Sequence, residues 1–339
     1  MPFLKTPRFW YKKSTTLPCR ILTPFSWVYG LGRKLDTLKH SYKPPINVIC
    51  IGNLTAGGGG KTPAALMVMD VIQAENIFNK PAFLTKGYGR LKKGTFKADP
   101  SHSWKDIGDE ACLLNEKAPV YICDNRKSGI ELALKDGVDC LISDDGFQDS
   151  SIRYNLAGLV INSYDGFGNE RLLPAGPLRE SLSKGLDRTD FILLIQDDRG
   201  TRFDPDTYSI NCPVIKCSLK KAVQAIDSNK KYIAFCGIAR PEKFYASLKE
   251  EGPEKEGLEV TETYNFPDHR PYTEGDLEPL LKQAKKTGAK IITTEKDFVR
   301  LPDLYKNEVI TLPIRLDIDT PQTLLSLIKK TKPDNKFKK

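Results

Sequence analysis

A run of glycines followed by Lys61 and Thr62 is the part of the sequence best suited to chemistry. An apolar stretch over 46–51 comes first, and four consecutive glycines, Gly57–Gly60, lead directly into Lys61. Glycines let a backbone turn sharply and point several N–H groups at one anion, while a lysine can reach terminal phosphates and a threonine hydroxyl can reach Mg²⁺. Pro63 then opens an apolar helical stretch, whose N-terminus adds a positive dipole. This order predicts a binding site for a nucleoside triphosphate.

The predicted phosphate-binding loop departs from the usual spacing at one position. The strict pattern has glycine at position 55, where this chain has Thr55. A glycine-rich turn with an incidental lysine is the alternative interpretation, but the order of strand, loop, Lys-Thr pair and helix favours the phosphate-binding loop. The residues predicted to contact the nucleotide are Thr55, Ala56, Gly57, Gly58, Gly59, Gly60, Lys61 and Thr62.

Two adjacent carboxylates, Asp144 and Asp145, end a second apolar stretch that begins at Val138. Enzymes with a phosphate-binding loop use such a strand end to hold or orient Mg²⁺ beside the loop threonine. Paired acids at a strand end can also do no more than solvate a loop, so the pair is only moderately specific by itself. Together with the loop, the pattern predicts that Thr62, Asp144 and Asp145 hold Mg²⁺.

The elements that must position these residues alternate between strands and helices through the first two thirds of the chain. This alternation predicts a mostly parallel sheet with helices on both faces, and the loops at the carboxyl ends of its strands form the site. A second, smaller unit starts at Tyr232 and includes a strand over 291–294, while segments 213–217 and 309–314 are candidate connecting strands. The predicted fold class is α/β, with a P-loop NTPase-like domain and a smaller C-terminal α/β domain.

Composition limits the class of protein. The chain has 339 residues, of which 40% are hydrophobic and 28% charged, and no apolar run approaches the roughly 18 residues that a membrane-spanning helix needs. Its eight cysteines include no Cys-x-x-Cys pair, which argues against a zinc site. A globular protein of two domains is therefore expected.

The net charge of +9 is concentrated near the N-terminus. Residues 1–43 contain nine lysines and arginines and one acidic residue, so they carry +8. Thr23 is predicted to cap a helix that has Pro24 at its first position, and apolar residues recur three or four apart on one face: Ile21, Phe25, Val28, Leu31, Leu35 and Leu38. Such a helix suits an anionic membrane interface. The alternative is a helix packed on its own domain with a solvated basic face.

Other partners receive less support from the sequence. No recognised nucleic-acid-binding module accompanies the positive charge, so a nucleic-acid partner is not expected. No segment of the sequence indicates a protein partner.

Seven motifs, taken in order, resemble those of the tetraacyldisaccharide 4'-kinases of lipid A biosynthesis. The resemblance runs from about residue 10 to 315 and rests on Gly52–Pro63, Gly87–Arg90, Gly108–Glu110, Asp144–Gln148, Arg171–Glu180, Phe266–His269 and Thr294–Asp297. It implies ATP-dependent phosphorylation of the 4'-hydroxyl of a tetraacyl disaccharide 1-phosphate at the cytoplasmic face of the bacterial inner membrane. Departures are Arg270, where a second histidine is expected, and Lys86, where an arginine is usual.

The resemblance also implies roles for Asp109 and His269. A sugar hydroxyl is a poor nucleophile, so transfer benefits from a carboxylate that accepts its proton and a histidine that orients or relays it. Asp109 is assigned as the base and His269 as its partner, with a helix cap as the alternative for Asp109 and a structural role as the alternative for His269, since a lone loop histidine is more often structural. Contacts to phosphate or sugar are suggested for Arg90, Arg126 and Glu180, for which surface salt bridges are nearly as good an explanation.

The predicted organisation has five parts. These are a basic membrane-interface segment (1–43), a kinase domain (44–211), two linker strands (212–222 and 308–318), whose presence the resemblance implies, a smaller α/β domain (223–307) and a frayed basic tail (329–339).

Two other functions fit the nucleotide site alone. A P-loop small-molecule kinase or ligase would leave the basic N-terminal segment without a purpose. A nucleotide-hydrolysing switch would not need Asp109 and His269 and would release phosphate without an acceptor.

Overall fold

The computed structural model describes residues 7–12, 16–36, 41–221, 226–249 and 257–331. Within these ranges the chain forms two sheets with helices packed against them, and the predicted α/β fold class is confirmed.

Among the described residues, nine strands form the larger sheet in the order β13-β8-β7-β6-β1-β5-β2-β4-β3. Neighbouring strands from β8 to β4 are parallel, whereas β3 and β13 pair antiparallel at the two edges. The strands are β1 (Asn47–Gly52), β2 (Pro81–Thr85), β3 (Phe96–Lys97), β4 (Val120–Ile122), β5 (Cys140–Asp144), β6 (Leu156–Asn162), β7 (Phe191–Ile195), β8 (Val214–Lys221) and β13 (Ile314–Ile318).

The smaller sheet has four parallel strands among the described residues, in the order β10-β9-β11-β12. These are β9 (Lys231–Cys236), β10 (Glu259–Asn265), β11 (Lys290–Thr294) and β12 (Val309–Leu312). The chain therefore leaves the large sheet after β8, builds the small sheet, and returns to pair β13 with β8. The segment 309–314, predicted as one connecting strand, contributes to both sheets because Pro313 separates β12 from β13.

The described helices connect and cover these strands. They are α1 (Leu17–Asp36), α2 (Lys61–Ala74), α3 (Trp104–Ile107), α4 (Asp109–Asn115), α5 (Arg126–Lys135), α6 (Leu182–Asp187), α7 (Pro241–Lys249), α8 (Glu274–Thr287), α9 (Glu295–Phe298), α10 (Asp303–Lys306) and α11 (Pro321–Thr331), with 3-10 turns at Arg8–Tyr11 and Pro205–Tyr208. No helix in the described ranges is both long enough and apolar enough to cross a membrane.

The larger unit is the part of the chain built on the nine-stranded sheet, and the smaller unit is the part built on the four-stranded sheet. The core of the larger unit explains why the sequences of its central strands are continuously apolar. All six residues of β1 and all five of β5 are buried, because helices cover both faces of a parallel sheet. Helix α11 closes one face of this unit, with Leu324 and Ile328 fully buried in the same cluster as Met69. Of the predicted frayed tail, residues 329–331 form the last turn of α11, and the remainder lies outside the described residues.

The prediction that Thr23 caps the first helix is wrong. Helix α1 begins at Leu17, Pro24 lies inside it, and the Thr23 hydroxyl donates to the Cys19 carbonyl at 2.8 Å. Pro18 occupies the first turn instead, where the missing N–H of a proline costs nothing. Leu38, predicted on the apolar face, lies outside the described residues, as does the side chain of Leu35.

Candidate active site

The glycine-rich loop joins the end of β1 to the start of α2 and includes all the predicted nucleotide contacts except Lys61 and Thr62, which open α2. Gly60 precedes the helix with φ 77°, a left-handed conformation that glycine adopts without strain. The segment 171–180 holds the loop from outside, because the Ala56 N–H donates to the Pro177 carbonyl at 2.7 Å and the Arg179 N–H donates to the Leu54 carbonyl at 2.8 Å. The loop is thus fixed by backbone hydrogen bonds on its outer side.

Lys61 points towards the end of β5. Its Nζ lies 3.2 Å from Asp145 Oδ1, and its side chain is only 11% exposed. Both oxygens of Asp145 also accept from Arg179 Nη1 at 3.0 Å. Burial raises the pKa of Asp145, but Lys61 and Arg179 lower it by more, so that this carboxyl is ionised more readily than usual.

Asp144 has different surroundings from those of its neighbour. Its Oδ2 accepts from the Thr62 hydroxyl at 3.2 Å, while its buried Oδ1 has no hydrogen-bond partner among the described residues. Burial, together with the charges of Glu110 and Asp145, raises the pKa of Asp144 to about 7. A buried carboxylate oxygen without a donor is costly unless a cation satisfies it. Thr62 and Asp144 therefore fit Mg²⁺, which binds one or two carboxylates and keeps its other positions for phosphates and water.

Asp109 lies on the large unit and His269 on the small unit, and their side chains meet at hydrogen-bond distance. Asp109 is the first residue of α4, follows Gly108 (φ 90°), and is 3% exposed, whereas His269 lies in the turn after β10 with φ 56°. A side chain on Gly108 would collide with the Tyr88 carbonyl, so glycine is required there. The Nδ1 atom of His269 lies 2.8 Å from Asp109 Oδ2. The structure thus brings together the two residues to which the resemblance assigned proton transfer.

Two cations surround this pair. Lys296 Nζ lies 3.3 Å from His269 Nε2 and 3.1 Å from Glu110 Oε1, and the fully buried Arg300 places Nε 3.7 Å from Asp109 Oδ2. Burial raises the pKa of Asp109, but the hydrogen bond from His269 and the nearby positive charges lower it by more. Asp109 is therefore an ionised carboxylate at neutral pH, as a proton acceptor must be.

The three weaker candidates are occupied by internal contacts. Arg126, 2% exposed, donates to the carbonyls of Asp144 (3.2 Å) and Asp145 (2.9 Å) and to Asp149 Oδ2 (2.7 Å). Its guanidinium thus fixes the backbone that presents the two carboxylates. The donors of Arg126 named above are used within the protein, and its contact with phosphate stays a prediction.

Arg90 and Glu180 are likewise structural in their contacts. Arg90 pairs with Asp124 and donates to the Lys86 carbonyl at 2.8 Å, which closes the loop around Tyr88. Glu180 is 7% exposed and accepts from Arg188 Nη2 at 2.7 Å through both of its oxygens. The contacts of both side chains to phosphate or sugar stay predictions.

Sequence reasoning did not identify Arg179, Lys296 and Arg300 as site residues. Arg179 and Lys296 lie inside the motifs 171–180 and 294–297, so the motifs themselves were the available signal. No local spacing pairs Lys296 with Asp109 or Glu110, because they lie on different units and meet only after folding.

A cavity opens beside the loop. Residues 53–59 form one wall, and the end of β6 with Asp165 and Phe167 forms another. Tyr11 and Arg240 complete it, with the Arg240 guanidinium 4.9 Å from the centre of the Tyr11 ring. The cavity adjoins the part of the loop where phosphates are expected.

Comparison with known proteins places this geometry in a family. A family model described as tetraacyldisaccharide-1-P 4'-kinase, LpxK, matches residues 19–332. The chain belongs to this family. The prediction from the motifs is thereby confirmed, and the protein is a kinase.

Three curated relatives and one solved structure show the extent of the similarity. Proteins named tetraacyldisaccharide 4'-kinase from Parvibaculum lavamentivorans, Paramagnetospirillum magneticum and Rhodospirillum rubrum are 39%, 38% and 38% identical, over 88%, 96% and 96% of this chain and 87%, 98% and 97% of theirs. The structure of LpxK from Aquifex aeolicus in complex with ATP is 27% identical, with a TM-score of 0.73, and covers 92% of this chain and 99% of that chain.

Proposed function

We propose that this kinase transfers the γ-phosphoryl group of ATP to the 4'-hydroxyl of a tetraacyl disaccharide 1-phosphate, a step of lipid A biosynthesis. Family membership over most of the chain supports the reaction, and the ATP complex of the Aquifex aeolicus protein supports the phosphoryl donor. The contact between Asp109 and His269 carries the assignment within this structure, because a hydrolytic switch has no need of a base for an acceptor hydroxyl.

In the proposed reaction, Asp109 accepts the proton of the acceptor hydroxyl while the hydroxyl oxygen forms a bond to the γ-phosphorus. The bond from that phosphorus to the β–γ bridging oxygen breaks, and ADP leaves with the electron pair. Lys61 and the N–H groups of Gly57–Gly60 hold the phosphates, and His269 orients Asp109.

Thr62 and Asp144 are the residues proposed to hold Mg²⁺. When bound, the ion would neutralise charge on the β- and γ-phosphate oxygens. Asp145 is left to hold Lys61 and Arg179 in place, because both of its oxygens already accept from Arg179. The proposal thus gives the two adjacent carboxylates different tasks.

The protein is further proposed to bind the anionic surface of the cytoplasmic face of the inner membrane peripherally, through α1. One side of this helix docks on the large unit through polar contacts, including Ser26 Oγ to the Leu172 carbonyl at 2.8 Å and the Tyr29 hydroxyl to the Arg179 carbonyl at 3.0 Å. The other side leaves large apolar side chains 60–72% exposed: Leu17, Ile21, Phe25, Trp27, Val28 and Leu31. An apolar face turned outward beside exposed basic residues fits a lipid surface.

The reaction is tested with purified protein, ATP, Mg²⁺ and a tetraacyl disaccharide 1-phosphate in detergent. A bisphosphorylated lipid is expected by mass spectrometry, with ADP formed in equal amount. Lys61→Ala is the matched control and should reduce the rate by about 10² to 10³, since it removes one preorganised charge at the phosphates. Phosphate release without acceptor, at the rate seen with acceptor, would instead identify a hydrolytic switch, and transfer only to a water-soluble acceptor would identify another small-molecule kinase.

A further inference from the structure

The second nitrogen of His269 has a partner to which the family motifs assigned no role. While Nδ1 faces Asp109, Nε2 faces the ammonium group of Lys296 at 3.3 Å. A lysine ammonium group has three donors and no acceptor, whereas a neutral imidazole has one donor and one acceptor. The identity of the group facing Nε2 therefore decides which nitrogen carries the proton.

Lys296 is held in its charged form. It lies 3.1 Å from Glu110 Oε1, and although burial lowers its pKa, the charges of Glu110 and Asp109 raise it by more. A charged Lys296 can only donate to Nε2, so Nε2 must be the unprotonated nitrogen. The proton of a neutral His269 then sits on Nδ1 and is donated to Asp109.

The remaining groups around the imidazole would favour a different state if Lys296 were absent. Asp268 Oδ1 lies 3.8 Å from Nε2, is buried, and has no hydrogen-bond partner among the described residues. With Asp109 on the other side, two carboxylates would then flank the ring and favour its doubly protonated form. An imidazolium at hydrogen-bond distance would make Asp109 a poorer proton acceptor.

The other titratable neighbours do not replace Lys296. Arg300 faces Asp109 rather than the ring, with Nε at 3.7 Å from Oδ2. Tyr88 contacts His269 through its ring, with the two ring centres 5.9 Å apart. Cys112 lies on α4 beyond Asp109, and burial and the Asp109 charge raise the pKa of its thiol to about 12, so it stays neutral.

We propose that Lys296 is a positioning residue that holds His269 as the neutral tautomer with its proton on Nδ1. In this state His269 keeps its proton throughout the transfer, and Asp109 alone receives the proton of the acceptor hydroxyl. The inference rests on the proposed role of Asp109 as base. Glu110, which pairs with Lys296, and Asp109, which accepts from Nδ1, lie on the large unit, so the arrangement is complete only when the two units are in contact.

The tautomer can be measured in the unmodified protein, without turnover. The chain has three histidines, so long-range ¹H–¹⁵N spectra of ¹⁵N-histidine-labelled protein can be assigned with a His269→Gln sample. At pH 8 we expect Nδ1 of His269 to show the chemical shift of a protonated nitrogen and Nε2 that of an unprotonated one. A protonated Nε2, or averaged shifts from two tautomers, would overturn the proposal.

Lys296→Met tests the same inference through kinetics. The variant should lower kcat, and the acidic limb of its kcat/KM profile should move upward by about one pH unit or more, because a positive charge next to the ring is lost. Lys296→Arg, which keeps the donors, should restore most of the wild-type profile. Lys282→Met, which removes an exposed lysine paired with Glu278 on α8, is the control and should change neither quantity.

The outcomes separate this inference from the proposed function. A Lys296→Met variant with a raised KM but the wild-type tautomer and pH profile would make Lys296 a substrate contact and overturn the positioning role. If that variant does not fold, the spectrum of the unmodified protein still decides. If the protein phosphorylates the lipid but Nε2 of His269 is protonated, only this inference is contradicted. If His269 has the expected tautomer but the lipid is not phosphorylated, only the proposed function is contradicted.

Discussion

At the scale of single residues, Asp144 and Asp145 show how neighbours in sequence acquire different chemistry. Asp144 is buried beside Thr62 with one oxygen lacking a donor, and its pKa is raised by burial to about 7. The backbone of Asp145 is left-handed, with φ 48°, and the charge of its carboxylate is balanced by Lys61 and Arg179. A side chain alternates direction along a strand, and the left-handed residue that follows the strand redirects the chain. The two carboxylates can therefore serve the metal and the lysine separately.

Substituting the two carboxylates one at a time distinguishes these tasks. Asp144→Asn should weaken the activation by Mg²⁺ by about tenfold or more, because an amide keeps the shape but loses the charge that attracts a hard cation. Asp145→Asn should lower kcat by misplacing Lys61 while leaving the Mg²⁺ concentration for half-activation near the wild-type value. Magnesium titrations of both variants check this, and the reverse pattern would assign the metal to Asp145.

The pair formed by Asp109 and His269 should act as one unit. Asp109→Asn is expected to reduce kcat by about 10² to 10⁴ with little change in ATP affinity, because the carboxylate acts on the acceptor hydroxyl in the transition state. His269→Ala should reduce it less, and the double variant should be little slower than Asp109→Asn alone. Single-turnover rates of the wild type and the three variants complete a double-mutant cycle. Fully additive losses would show that the two side chains work independently.

At the scale of elements, the site is built where loops at the carboxyl ends of parallel strands meet. The ends of β1 and β5 lie side by side, with Ile51 opposite Asp144 in the register, so the loop lysine and the carboxylates are neighbours by sheet geometry. Buried Arg126, on α5, then fixes the β5 end by donating to its carbonyls. Asp149 compensates the Arg126 charge at 2.7 Å. This ion pair supports the element that carries the proposed metal ligand.

Removing the partner of Arg126 should destabilise the large unit. Asp149→Asn is expected to cost about 3 kcal/mol at pH 7, because it leaves a buried guanidinium without its counter-charge. Burial raises the pKa of Asp149, but Ser151 and Arg126 lower it by more. The contribution of Asp149 to the free energy of unfolding is therefore complete above the pKa of the unfolded chain, near 4, and is lost as the pH falls through the lower pKa of the folded protein. Urea unfolding should therefore show a constant difference from pH 7 to about 5 that shrinks below about 4. Asp303→Asn, at an exposed pair with Lys306, is the control and should leave the midpoint unchanged.

The outward face of α1 should determine vesicle binding but not folding. Replacing Phe25 and Val28 by Ser should weaken cosedimentation with anionic vesicles by about tenfold or more, because each large apolar side chain contributes roughly 1.5–3 kcal/mol when buried. The melting temperature should stay constant, since these side chains are 61% and 72% exposed in the protein alone. Serine at Leu91 and Leu304, which are exposed to a similar degree elsewhere, is the control. Equal loss of binding in both double variants would place the membrane contact outside α1.

At the scale of the whole molecule, the two units meet on both sides of the site. The small unit supplies His269 and Lys296 to Asp109 and Glu110, while Arg240 pairs with Asp165 beside the cavity. Lys243 reaches Asp197 at 2.7 Å in the same region. The small unit is joined to the large unit through β8 and β13, which pair antiparallel with Lys221 opposite Ile314. The small unit is therefore an insertion into a hairpin of the large sheet.

This insertion can be removed at the hairpin. Replacing residues 222–313 by Asn-Gly, which favours a two-residue hairpin turn, should join β8 to β13 and leave a folded large unit. It should bind ATP within about tenfold of the whole chain but transfer phosphate at least about 10² times more slowly, because His269 no longer supports Asp109. Calorimetry with ATP and the lipid assay measure the two effects. Transfer at the wild-type rate would show that the small unit is not part of the catalytic machinery.

Local sequence determined the fold class and predicted the nucleotide loop. Buried parallel strands need continuous apolar runs, and phosphate binding needs glycines followed by Lys61 and Thr62, so both leave a signal within a few consecutive residues. The carboxylates after β5 were predicted as metal ligands for the same reason. The family motifs added Asp109 and His269, which are 160 residues apart and which no local spacing connects.

Only the tertiary structure decided how these side chains share the chemistry. Burial and partners separate Asp144 from Asp145, give Arg126 a structural task, and bring Lys296 to the far side of the His269 ring. The outward direction of the apolar face of α1 was also decided by packing, because polar contacts from Ser26 and Tyr29 fix the opposite side. These properties depend on which groups meet across the two units and on how much water they lose, and neither is encoded in neighbouring residues.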